Sequence, residues 1–256
     1  MSLFLKRFST HAEYDSYING SDAILPNVSI CTTEGDVHYN PYVDPCASEK
    51  VETTYEWVEI GGVKWATKNV GALTVTDYGQ KFSWGGVNGF TADQVSGTCH
   101  SKAFSWADYE LGNGGSGATD MTKYNSTDNK TVLEAVDDAA QANCGSEWRM
   151  PTKDEYVALG TATTSAWTSS YEGSGVAGLV LTDKTDSSKT LFFPAAGRCS
   201  NGSVYGVGSY GRYWSSSLSA SDVILGRDLY FFHSGDVYWQ FGDDRYCGFA
   251  VRPVRA

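Results

Sequence analysis

No lysine follows Lys189, no glutamate follows Glu172 and no methionine follows Met150 in this chain of 256 residues. The six cysteines (Cys31, Cys46, Cys99, Cys144, Cys199 and Cys247) contain no CxxC pair, which argues against a zinc site. Free thiols are the default reading and disulfides the alternative. No apolar run approaches the length of a membrane span. The opening stretch MSLFLKRFSTHAEY has only Leu3-Phe4-Leu5 as an apolar run, too short for the core of a signal peptide. Basic residues are also in deficit: the net charge is −11. A nucleic-acid partner needs a basic face to meet its phosphates, so this balance argues against one.

What the chain does have is 28 Gly, 16 Tyr and 8 Trp against 19% charged residues. That mixture describes a loop-rich, β-leaning protein with an aromatic core. At this length a chain buries about three quarters of the surface its unfolded form exposes.

The missing lysine and glutamate sharpen the reading of the C-terminal quarter, Phe192 to Val254. Average usage predicts roughly five or more Lys plus Glu in such a tail, and exposed turns normally accept both. Arginine is present instead, at Arg198, Arg212, Arg227, Arg245, Arg252 and Arg255. Folding physics does not explain the bias, but a codon mechanism does. An AAC or AAT asparagine codon with randomised adenines yields Tyr, Asp, His, Phe, Ser, Arg, Gly, Cys, Leu, Ile or Val, and never Lys, Glu, Met, Gln or Trp. Gln240, Trp214 and Trp239 are then fixed positions. Interleaved with the Tyr, Asp, Arg, Phe and His residues is an apparent scaffold, which includes Pro194, Gly197, Gly211, Tyr213, Trp214, Leu229, Phe231, Phe249 and Arg252. Tyrosine supplies contact area at low entropic cost, and Arg and Asp supply directional hydrogen bonds, so the tail reads as a recognition face.

Along the chain, residues 1–54 read as a small unit for attachment or oligomerisation. It has a capping box at Thr10-His11-Ala12-Glu13, a short helix stopped by Gly20, and a hairpin from Val28–Cys31 and Asp36–Tyr39. His11 and His38 read as surface or packing residues. Residues 55–256 form the main domain. It opens with a hairpin around Gly61-Gly62, and residues 87–128 read as long loops that contain the pair Cys99-His100. Capping boxes predict helices from Thr131 to about Ala142 and from Thr152 to Gly160. Strands are expected at 178–183 and 190–195, followed by several short strands broken by Gly and Ser.

Six motifs in order, KWATKNVGA, FSWGG, WRMPTKDEYVAL, LFFPAAGR, GRYWSSS and GFAVRPV, resemble a domain of gut Bacteroidales and Fibrobacter proteins. That domain belongs to the C-type-lectin-like superfamily, near its formylglycine-generating-enzyme branch. The resemblance covers about residues 55–256. It implies an α+β, C-type-lectin-like fold with two helices against twisted antiparallel sheets, loop-rich, and a ligand face on the C-terminal loops and strands.

The tail also resembles the variable region of diversity-generating retroelement target proteins, here residues 198–250. Matched around GRYWSSS and GFAVRPV, the implied ligand-binding positions are Tyr205, Tyr210, Arg212, Asp222, Asp228, Tyr230, Phe232, His233, Asp236, Tyr238, Phe241, Asp243, Asp244, Tyr246 and Cys247. Strand alternation in RDLYFFH agrees in part: Leu229 and Phe231 face the core, and Asp228, Tyr230 and Phe232 face out. The resemblance implies a non-enzymatic binder of a cell-surface protein or glycan, with no cofactor, no metal and no membrane insertion. It also implies display on a phage tail or fibre, as a homotrimer or attached to a larger virion assembly through residues 1–54. A bacterial surface adhesin of fixed specificity, or a carbohydrate-binding lectin-like domain, is the alternative.

A formylglycine-generating oxidase would need a reactive cysteine pair near the C-terminus, and Cys247 has no such neighbour in sequence. The Glu-Pro-Asn and Trp-Asn-Asp signatures of calcium-dependent lectins do not occur. Asp243-Asp244 reads as a solvated pair, and no nucleophile elbow accompanies His233.

Overall fold

The computed structural model describes residues 6–8, 31–33, 36–39, 55–95, 101–114 and 121–255. The chain divides into two compact units, Met1–Val51 and Glu52–Ala256. The first contains a three-stranded antiparallel sheet of β1 (Lys6–Phe8), β2 (Cys31–Thr33) and β3 (Asp36–Tyr39), in the order β1-β3-β2. β2 and β3 pair from Cys31↔His38 to Thr33↔Asp36, which overlaps the expected hairpin at Cys31 and at Asp36–Tyr39. The capping box at Thr10, the helix before Gly20, His11, Val28–Ile30 and the pair Cys99-His100 lie outside the described residues.

The second unit is mixed α and β, with few helices and several mainly antiparallel sheets. β4 (Trp57–Ile60) and β5 (Val63–Ala66) form the expected hairpin, and Gly61 and Gly62 both take positive φ (62° and 80°) in its turn. Ahead of the next sheet strand come the short helices α1 (Ala92–Val95) and α2 (Ala139–Cys144). β6 (Trp148–Arg149) and the C-terminal β15 (Val254–Arg255) complete a four-stranded sheet in the order β4-β5-β15-β6. Val254 pairs with both Trp65 and Arg149, so the two ends of this unit are locked in one sheet.

The capping box at Thr152 forms as its sequence predicts. The Thr152 hydroxyl accepts from the Glu155 amide at 3.2 Å, and the Glu155 carboxylate accepts from the Thr152 amide at 2.8 Å. It opens α3 (Lys153–Ala162), which runs through Gly160 rather than ending there. Gly160 is a packing residue: a Cβ at this position would lie 2.4 Å from the Trp239 ring. Gly160→Ala should therefore destabilise the protein by about 1–3 kcal/mol through overpacking, although alanine gains about 1 kcal/mol in helix propensity. Urea unfolding checks the sign, and a stabilised variant would refute this packing.

The Thr131 box does not form. Residues 131–133 are held extended by a bridge between Val132 and Ser217, and Leu133 N–H donates to Ser216 O at 2.9 Å. Asp138 caps α2 instead, accepting from Ala140 and Gln141 amides at 2.9 and 3.0 Å.

β7 (Thr163–Thr168), β8 (Gly178–Asp183) and β9 (Thr190–Pro194) form a three-stranded antiparallel sheet, so the strands expected at 178–183 and 190–195 are present and paired, the second ending at Pro194. The tail builds the largest sheet from β10 (Ala196–Ser200), β11 (Ser203–Val207), β12 (Tyr210–Leu218), β13 (Leu225–Phe232) and β14 (Val237–Asp244). Their order is β11-β10-β12-β13-β14. The last three strands are eight or nine residues long, longer than the short, interrupted strands expected from the Gly and Ser content. β10 and β12 meet in parallel at Gly197↔Gly211. Gly197 has φ 61°, and a Cβ there would lie 2.1 Å from the Tyr205 carbonyl oxygen, so the strand passes only with glycine.

Two apolar clusters hold this unit. One joins Trp65, Tyr156, Leu159, Leu181, Phe193, Tyr213, Leu229 and Phe231 beneath the five-stranded sheet. The other joins Phe82, Trp84, Tyr124, Trp214, Cys247 and Phe249. All the scaffold residues named from the sequence of the tail are buried. Among the described residues, no helix is long and apolar enough to cross a membrane.

Candidate functional site

The outer side of the five-stranded sheet divides into a covered half and an open half. At the covered end, Trp214 stacks on Phe249 with ring centroids 4.0 Å apart, and its indole N–H donates to Phe82 O at 2.8 Å. Phe82 and Phe249 are bridged backbone to backbone, and Trp84 N–H donates to Arg245 O. These segments lie over the sheet as far as Gly226, whose missing Cβ leaves room for Trp84. Beyond Asp228, which is also buried beneath this cover, the sheet is open.

The open half is paved with aromatic rings. Register places Tyr210 opposite Phe232, Arg212 opposite Tyr230, Tyr230 opposite Tyr238, and Asp228 opposite Phe241. Centroid distances run from 4.1 Å for Tyr230–Phe232 to 5.4 Å for Tyr230–Phe241 and 5.8 Å for Tyr238–Phe241. Tyr238 is 47% exposed, Phe241 41%, and Tyr205, on β11, 45%. A bulge makes this arrangement possible. Asp228 and Tyr230 are two residues apart on β13, yet their partners Phe241 and Tyr238 are three apart on β14. Both β14 rings thereby face out, while Trp239 turns inward against α3.

Beneath the rings runs a ladder of charge. Arg212 Nε donates to Asp228 Oδ2 at 2.8 Å, and Nη2 to Asp228 Oδ1 at 3.3 Å. Arg212 Nη1 reaches Asp243 Oδ2 at 2.7 Å, and Arg198 Nη1 reaches the same oxygen at 3.4 Å. The Arg212 guanidinium also lies over the Tyr230 ring at 4.1 Å, with Phe249 at 4.7 Å and Phe241 at 5.0 Å. Burial pushes the Asp228 carboxyl up to about 6 against the opposing pull of Arg212. Burial also raises the phenols of Tyr210 and Tyr230, so both remain hydroxyl donors at neutral pH.

This geometry corrects three of the implied contact positions. Asp228 lies on the outward side of β13 but is wholly buried, because the covered half of the sheet and the Arg212 side chain close over it. Arg212 is buried with it, and Cys247 is buried in the second apolar cluster. Alternation gave the correct side of the strand without the depth of cover.

Tyr205, Tyr210, Tyr230, Phe232, Tyr238, Phe241 and Asp243 belong to the open face or its charge ladder. The remaining predicted residues have partners of their own. Asp222 accepts from the Ile224 amide at 3.1 Å, Tyr246 packs on Trp106 at 4.8 Å, and exposed His233 lies 6.4 Å from Trp167. Asp236 accepts from Ser234 Oγ at 2.7 Å, and burial beside Asp243 raises the Asp244 carboxyl.

Arg198 belongs to the face but was not among the predicted contacts. Its place in the restricted alphabet of the tail was the available signal, and its register opposite Tyr205 puts it on the face.

The thiols of Cys199 and Cys247 are poorly placed for nucleophilic chemistry. Burial pushes Cys199 up to about 11 and Cys247 up to about 12, so both stay protonated at neutral pH. The Cys199 backbone pairs with Gly248, but Cys199 sits among Val95 and Phe104 while Cys247 sits in the cluster of Trp84 and Trp214. Among the described residues, no group of three His, Cys, Asp or Glu side chains is placed to hold a metal ion. No family model, no curated protein and no solved structure matches the chain.

Proposed function

We propose that this chain is a non-enzymatic receptor-binding protein whose ligand docks on the open half of the five-stranded sheet. The observation that carries the reading is the cluster of exposed rings, contributed by neighbouring strands and braced from below by paired arginines and aspartates. Rigid amphipathic rings over a pre-formed polar frame bind with little loss of side-chain entropy. The few helices and mainly antiparallel sheets suit a C-type-lectin-like domain, and the restricted alphabet of the tail suits diversification by a retroelement. Display on a phage tail or fibre for recognition of a host receptor belongs to the same proposal.

Sequencing this gene across the population it came from tests the reading. Adenine-derived changes are expected at codons 205, 210, 230, 232, 238 and 241, with codons 214, 229 and 249 invariant. Changes at 212 and 228 are expected to occur together, since either alone strands a buried charge. A uniform tail would remove diversification and leave a fixed-specificity adhesin. At the protein level, Tyr238→Ala is expected to change stability by no more than about 0.5 kcal/mol. A melting loss as large as that of Trp214→Ala would sink the assignment of Tyr238 to the open face.

A further inference from the structure

Arg198 and Arg212 share the charge ladder unequally. Arg212 is buried and holds both carboxylates, Asp228 through two contacts and Asp243 at 2.7 Å. Arg198 is left with one carboxylate contact, at 3.4 Å, to an oxygen that Arg212 already holds more closely. Its side chain is 36% exposed, and its guanidinium lies 5.7 Å from the centre of the Tyr205 ring. Arg198 also hydrogen-bonds Tyr210. A planar guanidinium has five N–H donors, and a carboxylate accepts two of them in parallel. Arg198 is thus the guanidinium of the ladder that has both exposure and donors to spare, with an aromatic ring on either side.

The rings themselves discriminate between ligand classes. Around Tyr230 and Tyr238 they meet at interplanar angles from 32° to 82°, mostly edge to face. They present edges and clefts, which accept individual side chains, and not the coplanar platform on which a row of sugar rings would lie flat.

Resting on the reading of this face as a recognition surface, we infer that Arg198 receives a carboxylate from an acidic polypeptide loop, whose neighbouring apolar side chain packs between Tyr238 and Phe241. An incoming carboxylate takes the spare donors of Arg198, while Asp243 stays with Arg212. Arg198 then sets specificity, and the rings supply most of the contact area.

The test is to pan a displayed library of disulfide-closed random peptides on the full chain. In parallel, an array of neutral, uronic-acid and sialic-acid oligosaccharides is probed. Selected peptides are expected to carry Asp or Glu beside an aromatic or aliphatic residue. Their affinity should fall about tenfold or more with Arg198→Gln and with Tyr238→Ala, and only partly with Arg198→Lys, at unchanged melting temperature. Peptides without an acid that ignore Arg198→Gln but need Tyr238 overturn this inference and leave the recognition face intact. Oligosaccharides that need Tyr238 do the same. Binding indifferent to both residues, or no binding to any probe, overturns the inference and the face together.

Discussion

Replacing Arg252 by alanine is expected to cost about 5 kcal/mol or more, enough to unfold a domain of ordinary stability. Arg252 is fully buried, with Nε on Asn69 Oδ1 at 3.0 Å and Nη1 on the Ala66 and Thr67 carbonyls at 3.0 and 2.9 Å. Its Nη2 donates to Phe192 O at 2.8 Å, and the guanidinium lies 4.5 Å from the centre of the Phe193 ring. One side chain thus joins the end of β5, the strand β9 and the C-terminal segment. Burial lowers its pKa to about 10, so it remains charged at neutral pH. Alanine would strand four acceptors and open a cavity at the same point. Lysine should fail as well, because a single ammonium cannot span acceptors arranged around a planar fork. Arg255 provides the control from the same tail. It makes one exposed ion pair with Glu147 at 2.6 Å, and its removal should matter by less than about 1 kcal/mol. Circular dichroism of the two alanine variants through urea unfolding makes the comparison. Equal midpoints would refute the role assigned to Arg252.

The pair Arg212–Asp228 should behave differently. Arg212→Ala is expected to cost about 3–5 kcal/mol by leaving Asp228 buried without its principal partner. The double change Arg212→Met with Asp228→Leu should recover most of that loss, since desolvation of both charges is then avoided. A double variant as unstable as the single one would show that the pair contributes more than mutual neutralisation.

The same pair gives a pH signature. The folded Asp228 carboxyl is raised from its ordinary 3.8 to about 6. Its contribution is therefore fully present below about 3.8 and is lost as pH rises through about 6. Acidification from pH 7 towards pH 5 should stabilise the native protein, and Asp228→Asn should abolish that gain. Further acidification acts the other way. Glu155, held by Arg149, and Asp183, held by Thr185, have lowered values, so their contributions disappear at lower pH. A stability maximum on the acid side of neutrality is expected, and a flat native profile between pH 7 and 5 would count against the buried carboxylate.

Local signals were legible in the sequence wherever a short stretch determines its own structure. Gly61-Gly62 specified a hairpin turn, Thr152 and Glu155 specified a helix start, and the alternation at Leu229 and Phe231 specified which side of β13 meets the core. Failures came where distant chain intervenes. Thr131 has a capping sequence, but the bridge of its neighbour Val132 to Ser217, far along the chain, holds the segment extended. Gly160 looks like a stop, but the ring that needs its space belongs to Trp239. Asp228 is outward by alternation and buried because residues 82–86 and 245–249 cover that end of the sheet. Arg198 carried only its membership of the restricted alphabet as a signal; its part in the site comes from register opposite Tyr205 and from the reach of its side chain to Asp243.

The bulge on β14 limits how this surface can change over generations. Tyr238 and Phe241 share the open side only because one additional residue separates them relative to β13. Inserting or deleting a single residue between them would turn one ring towards α3 and pull Trp239 out of its seat on Gly160. The surface can therefore accept new letters at fixed addresses but no change in length. A mechanism that rewrites bases in place, without adding or removing codons, is the kind of mutagenesis this sheet can withstand.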